Sequence, residues 1–313
     1  MFRKIQPIGA AQHGRRIENF MTQFNKIGFV GLGVMGEPMC RNLAVGTRRE
    51  IIALDVNTEP LSRLGEYGVV RASDIKQLAI QCDLIFLALP SGEQVSTVCK
   101  GRDGLLDNSK PGTTVVDLGT SPVSLARELS ALFEERRGHF VDAPIARTRE
   151  AAQRGTLSIM VGGRQADFDA IVPFLRLLGS DVTYCGSSGS GQAMKILNNM
   201  VLMETVAALS EAAALANHLG LCTELLFDTL SKGSADSFAL RNHGMKAIAR
   251  SDFPEKAFST AYALKDLQYA LAIGADAKLE LRGARAAEEY LDRAMTGGDK
   301  DRYWPVISRH VGK

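Results

Sequence analysis

The sequence predicts an α/β protein in which a doubly wound sheet domain is followed by an all-α domain, with a long helix joining the two. A glycine-rich stretch, residues 31–36, lies between an apolar run and a helix-forming run near the start of the chain. Strand-like and helix-like segments then alternate regularly, as a sheet covered by helices on both faces requires. From residue 190 onward, the spacing of apolar residues is helical almost throughout.

Each element of this fold has its own signal in the sequence. Short apolar runs predict strands at residues 26–31, 50–55, 83–89, 113–118, 138–142, 157–163 and 181–184. Helical segments separate them, and the longest, residues 192–219, is rich in Ala, Leu, Met and Glu. Breaks between the later helices are expected at Gly220, residues 231–234, residues 251–254, Gly274 and residues 297–298. We therefore expect a sheet domain over residues 26–188 and a helical substrate and oligomerisation domain over residues 189–313.

The composition narrows the classes of partner. With 313 residues, of which 45 % are hydrophobic and 23 % charged, the chain is long enough for two domains with cores of their own. A net charge of +2 creates no field that favours nucleic acid or an anionic membrane, and we expect no apolar run of membrane-spanning length. The five cysteines are scattered without metal-ligand spacing, so we expect no metal site.

Residues 1–25 read as an N-terminal extension, which we expect to be disordered. Residues 1–20 are basic and have no apolar core of a secretory signal, so two interpretations stay open. Residues 1–20 are either a mitochondrial presequence or upstream sequence read from an early start codon. The second interpretation is suggested by Met21, which lies just before the first strand. We expect the protein in the cytoplasm, or in the mitochondrial matrix if residues 1–20 are a presequence.

The glycine-rich stretch fits the fingerprint of a dinucleotide-binding Rossmann domain, because it lies between a predicted strand and a predicted helix. Gly31 allows the tight turn, Gly33 lets a pyrophosphate approach the backbone, and Gly36 allows close packing of helix on strand. The first N–H groups of the helix then face the phosphates. The loop thus predicts cofactor contacts from Gly31, Leu32, Gly33, Val34, Met35 and Gly36.

The second strand ends on Asp55, about twenty residues after the glycines, where a carboxylate binds the ribose hydroxyls and repels a 2′-phosphate. No Arg or Lys directly follows it, since the next residues are Val56 and Asn57. This favours NAD over NADP. Further cofactor contacts are expected where other strands reach the same edge of the sheet, at Leu89, Pro90 and Thr120.

The start of the long helix carries the candidate chemistry. A loop of glycines and serines, residues 186–191, precedes Lys195 and Asn199, which are four residues apart and therefore share one helix face. On its own, Lys195 fits a solvated surface lysine better, and the dinucleotide-binding pattern before it is what favours a catalytic role. Hydride transfer needs a proton moved on the carbinol oxygen, and burial beside a cationic nicotinamide ring lowers the pKa of a lysine toward a useful value. The substrate is expected in the cleft between the domains.

These blocks, in this order, resemble the β-hydroxyacid dehydrogenase family. The resemblance runs from about residue 26 to the C-terminus and rests on residues 28–39, 142–144 with 155–157 and 162–163, 189–199 and 265–267. It implies that Lys195 is the catalytic acid/base, that Asn199 holds the substrate, and that Lys265 lies by the cofactor. It also implies an NAD-dependent oxidoreductase that interconverts a small anionic β-hydroxy acid, or a terminal alcohol, and its semialdehyde.

Two positions depart from the common pattern of the family. After Pro144 the family often has Ser-Gly-Gly, whereas this chain has Ala146, Arg147 and Thr148, which we expect to contact substrate together with Thr120. An arginine offers a fixed fork to an anion, and this segment is similar to the sulfolactaldehyde and 4-hydroxybutyrate branch. Alternatively, Arg147 points to solvent or pairs with Glu150. The second departure is a glycine at position 119, where serine is frequent.

Other functions stay open at this stage. One is 3-hydroxyisobutyrate dehydrogenase proper, against which Arg147 argues. A second is a non-catalytic dinucleotide-binding interaction protein, although such relatives lose the lysine that Lys195 matches. A decarboxylating 6-phosphogluconate dehydrogenase needs a larger helical domain, and an imine reductase is disfavoured because the lysine is retained. Apolar helices after residue 200 favour a homodimer or homotetramer that forms through the helical domain.

Overall fold

The structure, a computed structural model, describes residues 24–255 and 257–312. Most of the predicted extension, together with both interpretations of residues 1–20, lies outside the described residues. Phe24, which we had placed in the extension, is buried, and its ring centroid lies 5.8 Å from that of Phe174. The chain divides into two compact units, Met1–Lys195 and Ile196–Lys313.

Among the described residues, the first unit contains a nine-stranded sheet. Its strands are β1 (Ile27–Val30), β2 (Ile51–Leu54), β3 (Val69–Arg71), β4 (Leu84–Leu87), β5 (Thr114–Asp117), β6 (His139–Asp142), β7 (Ile145–Ala146), β8 (Leu157–Gly162) and β9 (Gly179–Gly186). The order is β3-β2-β1-β4-β5-β6-β8-β7, and β9 pairs with β8. The first six strands are parallel in the order of dinucleotide-binding sheets, which confirms the predicted fold class. Strand β8 runs antiparallel to β6 and β7.

Helices cover both faces of this sheet. They are α1 (Gly36–Thr47), α2 (Thr58–Leu64), α3 (Ile75–Gln81), α4 (Gly92–Lys100), α5 (Leu105–Asn108), α6 (Val123–Glu135), α7 (Arg149–Arg154) and α8 (Gln165–Leu175). In the central strands, Phe29 and Phe86 face the core that contains Met39 of α1, while Ile85 faces the core that contains Leu78 of α3. Because both faces are buried, these strands read as continuous apolar runs rather than as alternating ones.

The second unit is helical, as expected. Its elements are most of α9 (Ser190–His218), α10 (Thr223–Leu230), a π-helix (Leu240–Ile248), α11 (Thr260–Asp276), α12 (Arg282–Thr296) and a 3-10 helix (Trp304–His310). The break expected at Gly274 falls two residues later, because α11 continues to Asp276. A Cβ at Gly274 would stand 2.6 Å from Leu281, so this glycine allows close packing of the following chain rather than ending the helix.

Helix α9 corrects our expectation about membrane-spanning length. It has 29 residues, and its most apolar window has a mean hydropathy of 1.2, which by length and composition is enough to cross a membrane. Buried helices of proteins without a membrane meet the same criterion, and 44 % of this window is buried inside the structure. The finding is therefore weak evidence for a membrane span.

Candidate active site

One edge of the sheet gathers the predicted cofactor contacts of the first unit. The backbone register aligns the last residues of five parallel strands in one row: Leu54, Val30, Leu87, Asp117 and Asp142. The segments that follow these residues contain Gly31, Asp55, Leu89 and Thr120. The carboxyl edge of a parallel sheet is where ligands of doubly wound domains bind.

The glycine loop after β1 has room for a ligand at one specific position. Gly31 has a φ of 93°, and a Cβ on Gly36 would stand 2.0 Å from the carbonyl oxygen of Gly31, so both are required by the backbone. Gly33 is different, because its φ is outside the left-handed region and no described atom lies within 4 Å of an added Cβ. Its missing side chain leaves open space beside the start of α1, which fits a pyrophosphate at a helix N-terminus.

Asp55 ties the end of β2 to this loop. Its carboxylate accepts hydrogen bonds from the backbone N–H of Leu32 and, at 2.7 Å, from that of Asn57. The Asn57 side chain in turn accepts from the N–H of Glu59 and caps α2. The carboxylate is half-buried and stands beside the glycine loop, where it suits a ribose. Val34, Val56 and Pro90, three further predicted contacts, are exposed, whereas Met35 and Leu89 are half-buried.

Asp142 anchors the start of α9. Its carboxylate is fully buried and accepts from the N–H groups of Gly189 at 2.7 Å and Gln192 at 2.9 Å. Burial raises the pKa of Asp142, and the backbone N–H groups act in the opposite direction. A Cβ on Gly191 would stand 2.3 Å from the carbonyl oxygen of Met160, so the helix can begin this close to β8 only without a side chain there. The end of β6 and the start of α9, which are far apart in sequence, are thus held together by hydrogen bonds.

The side chain of Gln192 connects α9 to the loop after β5. Its Oε1 accepts from the N–H of Ser121 at 3.0 Å, and its Nε2 donates to the carbonyl oxygen of Gly119 at 2.9 Å and to Asp117 Oδ2 at 3.3 Å. The Ser121 hydroxyl donates to the same carboxylate oxygen at 2.8 Å. Sequence reasoning missed Asp117, Ser121 and Gln192, because nothing along the chain links positions 71 residues or more apart.

Lys195 and Asn199 lie one turn apart on α9, with Lys195 at the end of the first unit and Asn199 in the second. Lys195 is half-buried. Asn199 is 2 % exposed, and its Nδ2 donates to Asp266 Oδ2 at 2.7 Å. Lys265, the predicted cofactor contact of this unit, has its Nζ 3.0 Å from Asp266 Oδ1. Asp266 therefore contacts two of the predicted site residues, and sequence reasoning did not predict it.

The guanidinium of Arg147, which we predicted to contact substrate, has partners within its own unit. Its guanidinium contacts three acceptors: the carbonyl oxygen of Thr156 at 2.7 Å, the hydroxyl of Ser180 at 3.0 Å and the carboxylate of Asp181 at 2.7 Å. The Ser180 hydroxyl and then the Arg147 guanidinium lower the pKa of Asp181. The alternative partner Glu150 pairs instead with Arg154. The guanidinium thus already has a carboxylate, which argues against a role as the substrate's anion contact.

The other predicted substrate contacts have local roles as well. Thr148 caps α7 by accepting from the N–H of Ala151, and Ala146 pairs with Ser158 in the sheet. Thr120 is half-buried in the loop after β5. A Cβ at Gly119 would stand 2.8 Å from the carbonyl oxygen of Leu89, which explains why a serine does not fit there without movement of the loop. Within the described ranges, no group of three or more His, Cys, Asp or Glu side chains is placed to hold a metal ion.

Comparison with known proteins agrees with this geometry. Residues 26–186 match the family model described as the NAD binding domain of 6-phosphogluconate dehydrogenase. Residues 189–304 match the model described as NAD-binding of NADP-dependent 3-hydroxyisobutyrate dehydrogenase. The nucleotide-binding sheet and the helical unit therefore each correspond to a domain of a known nicotinamide-dependent dehydrogenase.

Several relatives match nearly the whole chain. The chain is 34 % identical to 2-(hydroxymethyl)glutarate dehydrogenase of Eubacterium barkeri, over 90 % of this chain and 93 % of the relative. It is 33 % identical to 2-hydroxy-3-oxopropionate reductase of Escherichia coli (strain K12), over 87 % and 92 %. The structure of Mycobacterium tuberculosis 3-hydroxyisobutyrate dehydrogenase with L-serine has a TM-score of 0.83 at 29 % identity, over 93 % and 100 %. The chain belongs to the β-hydroxyacid dehydrogenase family, whose members are nicotinamide-dinucleotide-dependent oxidoreductases that act on CH–OH groups.

Proposed function

We propose that this protein interconverts a small β-hydroxy acid and its semialdehyde with NAD, and that Lys195 is the acid/base. The observation that carries the proposal is the anchoring of α9: Asp142 and Gln192 hold the helix start, three residues before Lys195, against the edge of the nucleotide-binding sheet. A lysine held there is suited to act on a group that reacts at the cofactor. Lys232, by comparison, lies on the surface and forms an ion pair with Asp228.

The chemistry that we assign to the side chains is proton transfer and orientation. A bound nicotinamide dinucleotide supplies or accepts the hydride. Lys195 donates a proton to the carbonyl oxygen of a semialdehyde, or removes it from the hydroxyl group in the oxidising direction. Asn199 has one N–H committed to Asp266, and its amide oxygen is an acceptor that we assign to the proton-transfer site. That oxygen can accept a hydrogen bond from the substrate hydroxyl or from a protonated lysine.

The relatives' names support a specific substrate class. The compounds 2-(hydroxymethyl)glutarate, 2-hydroxy-3-oxopropionate, 3-hydroxyisobutyrate and L-serine share one skeleton. Each has a terminal carbon, as alcohol or aldehyde, attached to a carbon that carries a carboxylate. Apart from the oxidation level of the terminal carbon, they differ in the remaining substituent of that carbon, which is a carboxyethyl, hydroxyl, methyl or amino group. We therefore propose a substrate of the form HOCH2–CHR–COO⁻, or its semialdehyde, in which R is no larger than a carboxyethyl group.

Of two alternative functions, the structure favours one and argues against the other. Strict 3-hydroxyisobutyrate dehydrogenase activity has gained support, because the objection to it was Arg147 and that guanidinium is paired with Asp181. A non-catalytic dinucleotide-binding protein is disfavoured by the presence of Lys195 together with Asn199 on one anchored helix. The preference for NAD over NADP stays part of the proposal and rests on Asp55.

We also propose that the protein associates with itself through the helical unit. Met194, Val201, Ala208 and Leu215 recur every seven residues along α9 and are exposed, the three larger side chains by 52 %, 57 % and 64 %. A seven-residue repeat places apolar side chains on one stripe of a helix, as in helices that pair with a partner helix. A second copy of this chain presents the same stripe and is a matching occupant.

The first test is the initial rate of NADH oxidation with four aldehydes: sulfolactaldehyde, succinate semialdehyde, tartronate semialdehyde and methylmalonate semialdehyde. Lys195→Ala is expected to lower kcat by about 10²- to 10⁴-fold, the usual contribution of a positioned acid or base. The Kd for NADH, measured by fluorescence, should stay unchanged. Lys232→Ala is the matched control and should behave as the wild type. Unchanged turnover of Lys195→Ala would end the catalytic assignment.

A further inference from the structure

We propose that Gln192 is a positioning residue: its side-chain amide holds the backbone on both sides of Thr120 and links that loop to the helix turn that carries Lys195. The proposal rests on the proposed function, because it concerns how two of its residues are placed relative to each other. Gln192 does not itself act on the substrate in this account.

The hydrogen bonds enclose Thr120 from both directions. The N–H of Ser121 donates to Gln192 Oε1 at 3.0 Å, and Gln192 Nε2 donates to the carbonyl oxygen of Gly119 at 2.9 Å. These two backbone groups belong to the residues directly before and after Thr120. One planar amide therefore fixes the path of the backbone through this position, in the way that a neighbouring strand would.

The same amide is held to a charged group beneath the loop. The Nε2 of Gln192 also lies 3.3 Å from Oδ2 of Asp117, a carboxylate that is fully buried. A buried carboxylate needs donors, and Asp117 also accepts from the hydroxyl of Ser121 at 2.8 Å and from the N–H of Gly119 at 2.9 Å. Gln192 is itself fully buried, so water cannot replace its hydrogen bonds.

The other end of Gln192 is equally constrained. Its backbone N–H donates to Asp142 Oδ2 at 2.9 Å, which holds the first turn of α9 to the end of β6. Lys195 follows three residues later in the same helix, about one turn on. Movement of the Gln192 side chain would thus shift the Thr120 loop relative to Lys195.

Only a group with both a donor and an acceptor fits this position. A methionine of similar size provides neither, and removes the partner of the Ser121 N–H and of the Gly119 carbonyl oxygen. An ionised glutamate is only an acceptor and is repelled by Asp117. A protonated glutamate, however, offers one O–H donor and one carbonyl acceptor, and so replaces the essential pair of the amide.

This chemistry gives a pH signature for the substitution Gln192→Glu. Burial and the nearby Asp117 should raise the pKa of the introduced carboxyl group, so it is protonated at mildly acidic pH. Its kcat, divided by that of the wild type at the same pH, is expected to be within threefold of one at pH 5.5 and to fall at least tenfold by pH 8.5. Gln192→Met should be at least tenfold slower than the wild type at every pH.

Gln165→Glu is the matched control, since Gln165 is an exposed glutamine at the start of α8. The kcat of Gln165→Glu, divided by that of the wild type at the same pH, should not change with pH. Melting temperatures at each pH separate loss of folded protein from loss of turnover, because a purely structural role would lower the melting temperature without a pH-dependent kcat. A flat ratio for Gln192→Glu, or full activity of Gln192→Met, would overturn the proposal.

The same samples distinguish failure of this proposal from failure of the proposed function. If the wild type oxidises NADH with none of the aldehydes, the proposed function fails. The inference is then decided by the Kd for NADH, because Thr120 is a predicted cofactor contact. A Kd for Gln192→Glu that weakens at least fivefold from pH 5.5 to pH 8.5, relative to the wild type, supports the positioning role. An unchanged ratio overturns it.

Discussion

Asn199 shows how one buried carboxylate limits what a neighbouring side chain can offer to a substrate. An amide can donate and accept, and from the sequence both roles are open. In the fold, Nδ2 of Asn199 donates to Asp266, a carboxylate that is 3 % exposed and can only accept. The oxygen of the amide must then face away from Asp266, where it accepts from Nδ2 of Asn198 at 3.1 Å. One N–H of Asn199 is thereby committed to Asp266, and its second N–H and its oxygen are what the amide can still offer to a substrate.

Asp55 leads to a prediction about cofactor choice. A carboxylate at the end of β2 repels the 2′-phosphate of NADP, so Asp55→Ser is expected to lower the ratio of kcat/KM for NAD to kcat/KM for NADP at least tenfold. Steady-state rates with both cofactors measure the ratio. Glu66→Ser, an exposed acidic residue of the same unit, is the control, and an unchanged ratio in Asp55→Ser would contradict the assignment.

Arg147 leads to a prediction about substrate choice. Because its guanidinium is paired with Asp181, we expect Arg147→Ser to leave the order of preference among the four aldehydes unchanged. The matched variant is Asp181→Ser, which breaks the same ion pair but keeps the guanidinium. If Arg147 did bind the far anion of a substrate, Arg147→Ser would remove a preference for sulfolactaldehyde or succinate semialdehyde, and Asp181→Ser would strengthen it. Relative kcat/KM values for the four aldehydes decide the matter.

At the scale of elements, the start of α9 depends on glycines as much as on its anchoring carboxylate. Asp142 needs Gly189 and Gln192 to donate to it, and these backbone groups reach it only because Gly162 and Gly191 have no side chains. A Cβ on Gly162 would stand 2.6 Å from the Asp142 carboxylate. Gly162 and Gly191 are therefore needed for α9 to begin this close to Asp142.

The π-helix of the second unit contains His243, whose burial lowers its pKa to about 4. The Tyr303 hydroxyl lies 2.6 Å from its Nδ1, and the ring centroid of Trp304 is 5.4 Å away. In the unfolded chain the pKa of histidine is about 6.5, so between these two values only the unfolded state binds the proton. Stability is therefore lost as pH falls from about 6.5 toward 4, by about 2 kcal/mol between pH 7 and pH 5.

This acid sensitivity is checked by urea unfolding at pH 7 and pH 5. Trp304 is the one tryptophan of the chain, so its fluorescence reports on the unit that contains His243. His243→Asn keeps an acceptor near Tyr303 and removes the titrating group. The loss of unfolding free energy between pH 7 and pH 5 should therefore be smaller than in the wild type by most of about 2 kcal/mol. His218→Asn, at an exposed histidine, should leave the difference as in the wild type. An equal loss in His243→Asn and the wild type would refute the prediction.

At the scale of the whole molecule, the exposed stripe on α9 predicts self-association. Leu215→Glu places a charge in that stripe and is expected to lower the mass measured by light scattering toward that of one chain, 33.8 kDa. Leu225→Glu is the control, because Leu225 is 61 % exposed but lies on α10, outside the seven-residue stripe. A wild type that already has the mass of one chain would show that the stripe serves another purpose.

The sequence by itself determined the class of fold, the family and the nicotinamide cofactor. These follow from features that are read along the chain: apolar runs bounded by turns, a change to helical period at residue 190, and glycines at fixed intervals between a strand and a helix. The two short strands β3 and β7 escaped prediction because three and two residues are too few to show a period. The burial of Phe24 also escaped prediction, because it packs against Phe174, a residue far away in the sequence.

Only the tertiary structure decided how the polar side chains are paired. Arg147 has Asp181 as its partner, Asn199 has Asp266, and Gln192 has the backbone on both sides of Thr120. The residues in each pair are separated by 34 to 73 positions in sequence. A donor pairs with the acceptor that the fold brings within about 3 Å of it, and no periodicity or local preference along the chain encodes that distance.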